Sequence, residues 1–138
     1  MNPYKQYQSG PGQSPLRIDV ILSLYEEAIE RVQKTLVAAQ RGDNAAVQKL
    51  LPPIHLIISA LASAVEGHAG DLSMNLLRLF DFVVHCLKTP DPMHLEPALD
   101  VLRTLHEAFL AIRQEAVRLE RSGEIVPLDR LRAVEVSA

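Results

Sequence analysis

The stretch PLRIDVILSLYEEAIERVQKTLVAAQRG, residues 15–42, carries the period on which the fold turns. Ile18, Ile21, Leu22, Tyr25, Ile29, Val32, Leu36 and Ala39 recur at steps of three or four, which makes one helix face apolar from end to end. Glu26, Glu27, Glu30, Arg31 and Lys34 fill the other side. Glu27 with Arg31 and Glu30 with Lys34 stand one turn apart, each pair adding ~0.3 kcal/mol. Ser14 before Pro15 offers a side-chain acceptor and a pre-set backbone angle, so a helix is expected to begin there, and Gly42 ends it. So long an apolar stripe has to be covered by other elements.

Those elements follow at once. Asp43 is placed to cap a second helix with a stripe of Val47, Leu50, Ile54, Ile57, Ile58, Leu61 and Val65, stopping at Gly67. Pro52 and Pro53 lie within it, remove two donors and cost ~3 kcal/mol each in an unbroken helix, so a kink or restart is expected near Leu51. Leu56 and Ala60 add a second stripe, which predicts that this helix is the most central one. Asp71 is placed to cap a third helix carrying Leu72, Leu76, Leu79, Phe80, Val83 and Leu87, ended by Thr89-Pro90-Asp91-Pro92. A fourth runs through Leu95, Leu99, Leu102, Leu105, Phe109, Ile112, Ala116 and Leu119 to Ser122-Gly123, and Pro97 fits it only in the first turn.

No alternating β-branched runs appear and the connections near Gly42, Gly67 and Pro90 are short, so consecutive helices should be antiparallel neighbours. The expected fold is all-α, an antiparallel up-down four-helix bundle at crossings of ~20°. Its organisation reads as a flexible amino-terminal arm over residues 1–14, a bundle domain over 15–122 and a carboxyl-terminal tail over 123–138. Ile125, Leu128, Leu131 and Val134 in that tail could form a short helix or fray.

Composition narrows the function classes. Of 138 residues, 48% are hydrophobic and 22% charged, too apolar for disorder, while 14 basic against 17 acidic residues give a net charge of -3. With no basic block, the electrostatic footprint of a nucleic-acid binder is lacking. The apolar stretch Ile54 to Val65 falls short of the roughly 20 residues a spanning helix needs, so no membrane insertion is expected. A lone Cys86 and an amino terminus without a charged-then-apolar order point to the cytosol.

Chemistry-bearing patterns are sparse. His55, His85 and His106 sit singly on different helices, His94 lies beside a loop and His68 in a turn, without the Glu-x-x-His spacing of bundle metal centres. The stretch Gly67-His68-Ala69-Gly70 reads as a helix stop rather than a phosphotransfer histidine, and Cys86 as a small buried hydrophobe rather than a nucleophile. Gly-rich phosphate loops and nucleophile elbows are missing. Neither catalysis nor a cofactor or metal is expected.

What stands out is surplus apolar surface. Val20 and Leu24, Leu56, Leu77 and Phe82, and Val101 and Leu110 lie off the main stripes of the four helices. They either widen the core or line a groove for another chain's amphipathic helix.

Several local patterns, in order, resemble the flagellar protein S family of flagellin export chaperones. Asn2-Pro3-Tyr4-Lys5-Gln6-Tyr7 resembles its Asn-x-Tyr-x-x-Tyr opening, and Leu24-Tyr25-Glu26-Glu27-Ala28-Ile29 its Leu-Tyr-Asp-Gly-Ala-Ile. Arg41-Gly42-Asp43 resembles its first helix connection, and Ile57-Ile58-Ser59-Ala60-Leu61 its Ile-Ile-x-x-Leu. Asn75-Leu76-Leu77-Arg78-Leu79-Phe80-Asp81-Phe82 is similar to Asn-Leu-x-x-Leu-Tyr-Asp-Tyr, and Leu105-His106-Glu107-Ala108-Phe109 to Leu-x-x-Ala-Trp. The resemblance implies a cytoplasmic chaperone that binds the carboxyl-terminal segment of flagellin, blocks premature polymerisation and delivers it to the flagellar type III export gate. It also implies that the arm lies over the apolar surface when no client is bound, with Tyr4 or Tyr7 as plug. Candidate partner contacts are Tyr4, Tyr7, Leu24, Tyr25, Leu56, Leu77, Phe82 and Leu110, although Tyr25 on the main stripe reads first as a core ring with its hydroxyl at the rim. The rival reading is a structural bundle that dimerises through the same surface, so the chain is a monomer or a homodimer.

Overall fold

The computed structural model describes residues 16–65 and 70–123. The arm residues Tyr4, Tyr7 and Ser14, Pro15 at the expected start of the bundle, Gly67 and His68, and the residues after Gly123 lie outside the described residues. Five helices make up the described fold: α1 (Arg17–Gln40), α2 (Asn44–Val65), α3 (Asp71–Leu87), α4 (Pro92–Ala111) and α5 (Arg113–Arg121). Helix α1 packs on α2 and α4, and α3 packs on the same two, so the first four form a closed square with α1 and α3 diagonal. Strands are absent among the described residues, and the all-helical bundle matches the expected class.

Helix ends follow local chemistry. Arg41 and Gly42 close α1, with Gly42 at φ 72 and the Asp43 N–H donating to the Ala38 carbonyl at 2.9 Å, the reverse-turn cap that glycine allows. Asp43 then caps α2 by accepting from the Ala46 N–H at 3.1 Å. Asp91 does the same for α4, accepting from the His94 N–H at 3.0 Å with Pro92 at the first helical position. Asp71 is not a cap: Gly70 holds that position and Asp71 opens the first turn, where its charge favours the helix dipole.

The core runs through every helix. Leu22, Tyr25, Val32, Ile54, Leu76, Val83, Leu95, Leu102 and Leu105 are all at most 1% exposed. Tyr25 stacks on Phe109 with ring centroids 5.3 Å apart, and His106 lies 3.9 Å from Glu26. As the number on α1 rises the facing number on α4 falls, which is the register of an antiparallel pair.

Three further expectations are corrected. Helix α2 neither breaks nor restarts: it is helical from Asn44 to Val65 with Pro52 and Pro53 inside it. Leu51, Ile54 and Ile58 anchor it in the core while Pro52 sits on the solvent side, so tertiary packing overrides propensity. Nor is α2 the most central helix; that place belongs to α1, which touches α2, α4 and α5, because the second stripe at Leu56 and Ala60 faces water. Pro97 lies in the second turn of α4, where the missing donor falls opposite the carbonyl of Met93, a residue 78% exposed and therefore beside water.

The fourth helix is also divided. Ile112 leaves helical geometry at φ -99 and ψ 4, and its N–H reaches back only to the Phe109 carbonyl at 3.3 Å. Beyond this break α5 lies against the start of α1. There Arg113 clasps the fully buried Asp19, Nε to Oδ1 at 2.6 Å and Nη2 to Oδ2 at 3.0 Å. Glu120 accepts the Arg17 N–H at 2.7 and 2.8 Å, supplying from another helix the cap that α1 lacks at Leu16. The Arg17 side chain donates to the Ala64 carbonyl at 3.3 Å, so α1, α2 and α5 are joined at one end of the bundle.

Candidate functional site

Helix α2 is apolar enough, by length and composition, to cross a membrane, the one such helix among the described residues, yet only 22% of its most apolar window is buried. Its inner face fills the core through Val47, Leu51, Ile54, Ile58, Leu61 and Val65. The outer face carries an open groove of about 560 Å³ lined by Gln48, Leu51, Pro52, His55, Leu56 and Ser59. These positions repeat at three and four residues, so they form one continuous strip along the helix. Leu56 is 73% exposed at its centre. No acidic or cationic side chain other than the titratable His55 lines it. The strip is apolar at Leu51, Pro52 and Leu56 and polar at Gln48, His55 and Ser59.

The remaining off-stripe candidates divide. Phe82 on α3 and Leu110 on α4 are exposed, whereas Leu24 on α1 and Leu77 on α3 are half-buried and pack against the core. The structure brings Leu56 into a groove but does not gather all these residues into one. Val37, Met74 and Met93 are exposed large hydrophobics that periodicity did not single out. Each lies outside the stripe of its own helix, which is the signal that could have found them.

Tyr25 is fully buried, and its hydroxyl is enclosed rather than at the rim, without a hydrogen-bond partner among the described residues. Burial pushes its phenol well above the ordinary value, so it stays neutral. Above it, an open cleft of about 360 Å³ between α1 and α4 is lined by Glu26, Ile29, Glu30, Gln33, Arg103, His106 and Glu107. Its charges are mixed, Glu30, Arg103 and Glu107 being exposed and Glu26 half-buried, and Glu30 is already paired with Lys34 at 3.1 Å.

Histidines and the cysteine stay apart. His55, His85, His94 and His106 stand on α2, α3 and α4, and no group of three metal-ligating side chains gathers among the described residues. Asp91 is held below the usual carboxylate range by its side-chain hydrogen bond to His94, 2.7 Å from Nδ1. Cys86 is 4% exposed, and burial pushes its thiol up, away from the reactive thiolate.

Comparison with known families matches residues 1–116 to the family described as Flagellar protein FliS. No curated protein and no solved structure matches the chain. The match spans most of the 138 residues, so the chain belongs to the FliS family of flagellar export chaperones.

Proposed function

We propose that the chain binds the carboxyl-terminal amphipathic segment of flagellin in the cytosol, keeps it from polymerising and delivers it to the flagellar type III export apparatus. Family membership over residues 1–116 is the observation that carries this reading. The open strip of α2 supports it: an amphipathic helix docks against apolar side chains one turn apart, and Pro52 and Leu56 have that spacing, with polar Ser59 one turn further on. Covering the client's apolar face removes the surface through which it would assemble. Ordering a disordered client opposes binding by ~2–5 kcal/mol, so a long contact is needed, extending from Leu56 towards Phe82 on the neighbouring α3.

In this reading Leu56, Phe82 and Leu110 touch the client directly, and Leu24 and Leu77 contribute their partly exposed edges. Tyr25, buried against Phe109 between α1 and α4, packs the core rather than the strip. Tyr4 and Tyr7, on the arm, occupy the strip when the client is absent. Calorimetric titration of the full chain with a synthetic flagellin carboxyl-terminal segment should show saturable binding with a negative heat-capacity change. Absence of heat at high micromolar concentrations, with a persistent dimer by light scattering, would favour the structural bundle instead.

A further inference from the structure

Two consecutive prolines inside an unbroken helix leave a specific chemical gap. In α2 the carbonyl of Gln48 should accept from residue 52 and that of Lys49 from residue 53, and neither proline has an N–H to give. Lys49 is worse placed still: the tighter bond from three residues on would come from residue 52, again a proline. Gln48 and Pro52 both line the groove beside exposed Leu56, and Gln48, Lys49 and Pro52 are all exposed residues, so the backbone gap falls on the solvent side of α2 where the groove lies. On an exposed face such acceptors are open to water in the free protein. When a partner covers the groove, water leaves and an acceptor left unpaired becomes a penalty.

We infer that the Pro52–Pro53 gap selects a client segment whose apolar face carries one side-chain amide, an asparagine or glutamine, positioned to donate to the freed Gln48 and Lys49 carbonyls. The inference rests on the export-chaperone reading and names what that client must offer at this point. Charge argues for the amide over a cation. Apart from His55 the groove has no ionisable side chain, hence no carboxylate to neutralise a lysine or arginine, and the nearby Lys49 ammonium repels one. A purely apolar client would bury the two carbonyls unpaired. An amide supplies two donors without bringing a charge.

The prolines therefore work against the helix and for the site, and restoring the donors should separate the two effects. In the full-length chain, Pro52→Ala with Pro53→Ala should raise the melting temperature while weakening calorimetric affinity for a synthetic flagellin carboxyl-terminal segment by ~5-fold or more, the worth of one hydrogen bond. The single variants should fall in between. In a scan of the peptide's Asn and Gln residues to Leu, one position should lose affinity with the wild-type chain and lose none with the double variant.

A double variant that is more stable and binds equally or more tightly overturns the inference while leaving the export reading intact. Failure of the wild-type chain to bind the segment overturns both. A wild-type dimer that the double variant dissociates identifies the occupant as a second copy and also overturns the inference.

Discussion

Truncating Arg113 to alanine should destabilise the whole bundle although the residue lies on a nine-residue helix at its margin. The reason is Asp19, whose carboxylate is fully buried and held by a two-pronged guanidinium contact at 2.6 and 3.0 Å. Removing one partner of a buried ion pair costs about 3–5 kcal/mol, because the remaining charge is stranded out of water. The Arg113 side chain is 39% exposed, so water follows into the vacated space and the lower end applies, ~3 kcal/mol. At roughly 4 °C per kcal/mol for a chain of this size, the melting temperature should fall by ~12 °C. Urea and thermal unfolding followed by far-ultraviolet circular dichroism read both quantities. Adding Asp19→Asn removes the stranded charge and should recover half or more of the loss. A loss under ~1 kcal/mol, the range of surface pairs, would refute the view that this clasp secures α5.

Tyr25→Phe deletes a buried hydroxyl with no partner among the described residues and should leave stability unchanged or raise it by up to ~1 kcal/mol in urea unfolding, whereas a clear loss would reveal a partner. Cys86 should resist a thiol-specific reagent in the native state and react within the mixing time once unfolded, since its side chain is enclosed and its thiol is held protonated. Asp91 has a lowered folded-state pKa, so its stabilising contribution is present above the ordinary aspartate value and lost as pH falls through the lower folded one. Asp91→Asn should flatten that acid limb of a pH–stability profile relative to wild type.

Much of the bundle was legible because the three-to-four stripe and the turn chemistry agree. Gly42 with Asp43, and Asp91 with Pro92, punctuate the chain where the helices stop and start. The break at Ile112 was not legible, because Phe109, Ile112, Ala116 and Leu119 keep the apolar period through it and no proline or glycine marks it. It coincides with the clasp between Arg113 and Asp19, 94 residues apart, which no local pattern contains. The double proline misled for the opposite reason: its local cost is real, but Leu51, Ile54 and Ile58 secure the helix on both sides of it. At the site, counting off-stripe residues found Leu56, Phe82 and Leu110 but could not separate them from Leu24 and Leu77. That separation depends on how far each neighbouring helix leans over the residue, which is a property of packing.

The claim beneath the functional account is that the outer face of α2 is surface kept open for a client. It is tested most directly by titrating wild type and Leu56→Asp side by side with the flagellin carboxyl-terminal segment. Leu56 is 73% exposed, so the substitution should leave the melting temperature unchanged. Losing one buried leucine contact, worth ~1.5–3 kcal/mol, should weaken binding by at least ~10-fold. Equal affinity in the two proteins would place the client elsewhere and contradict the account.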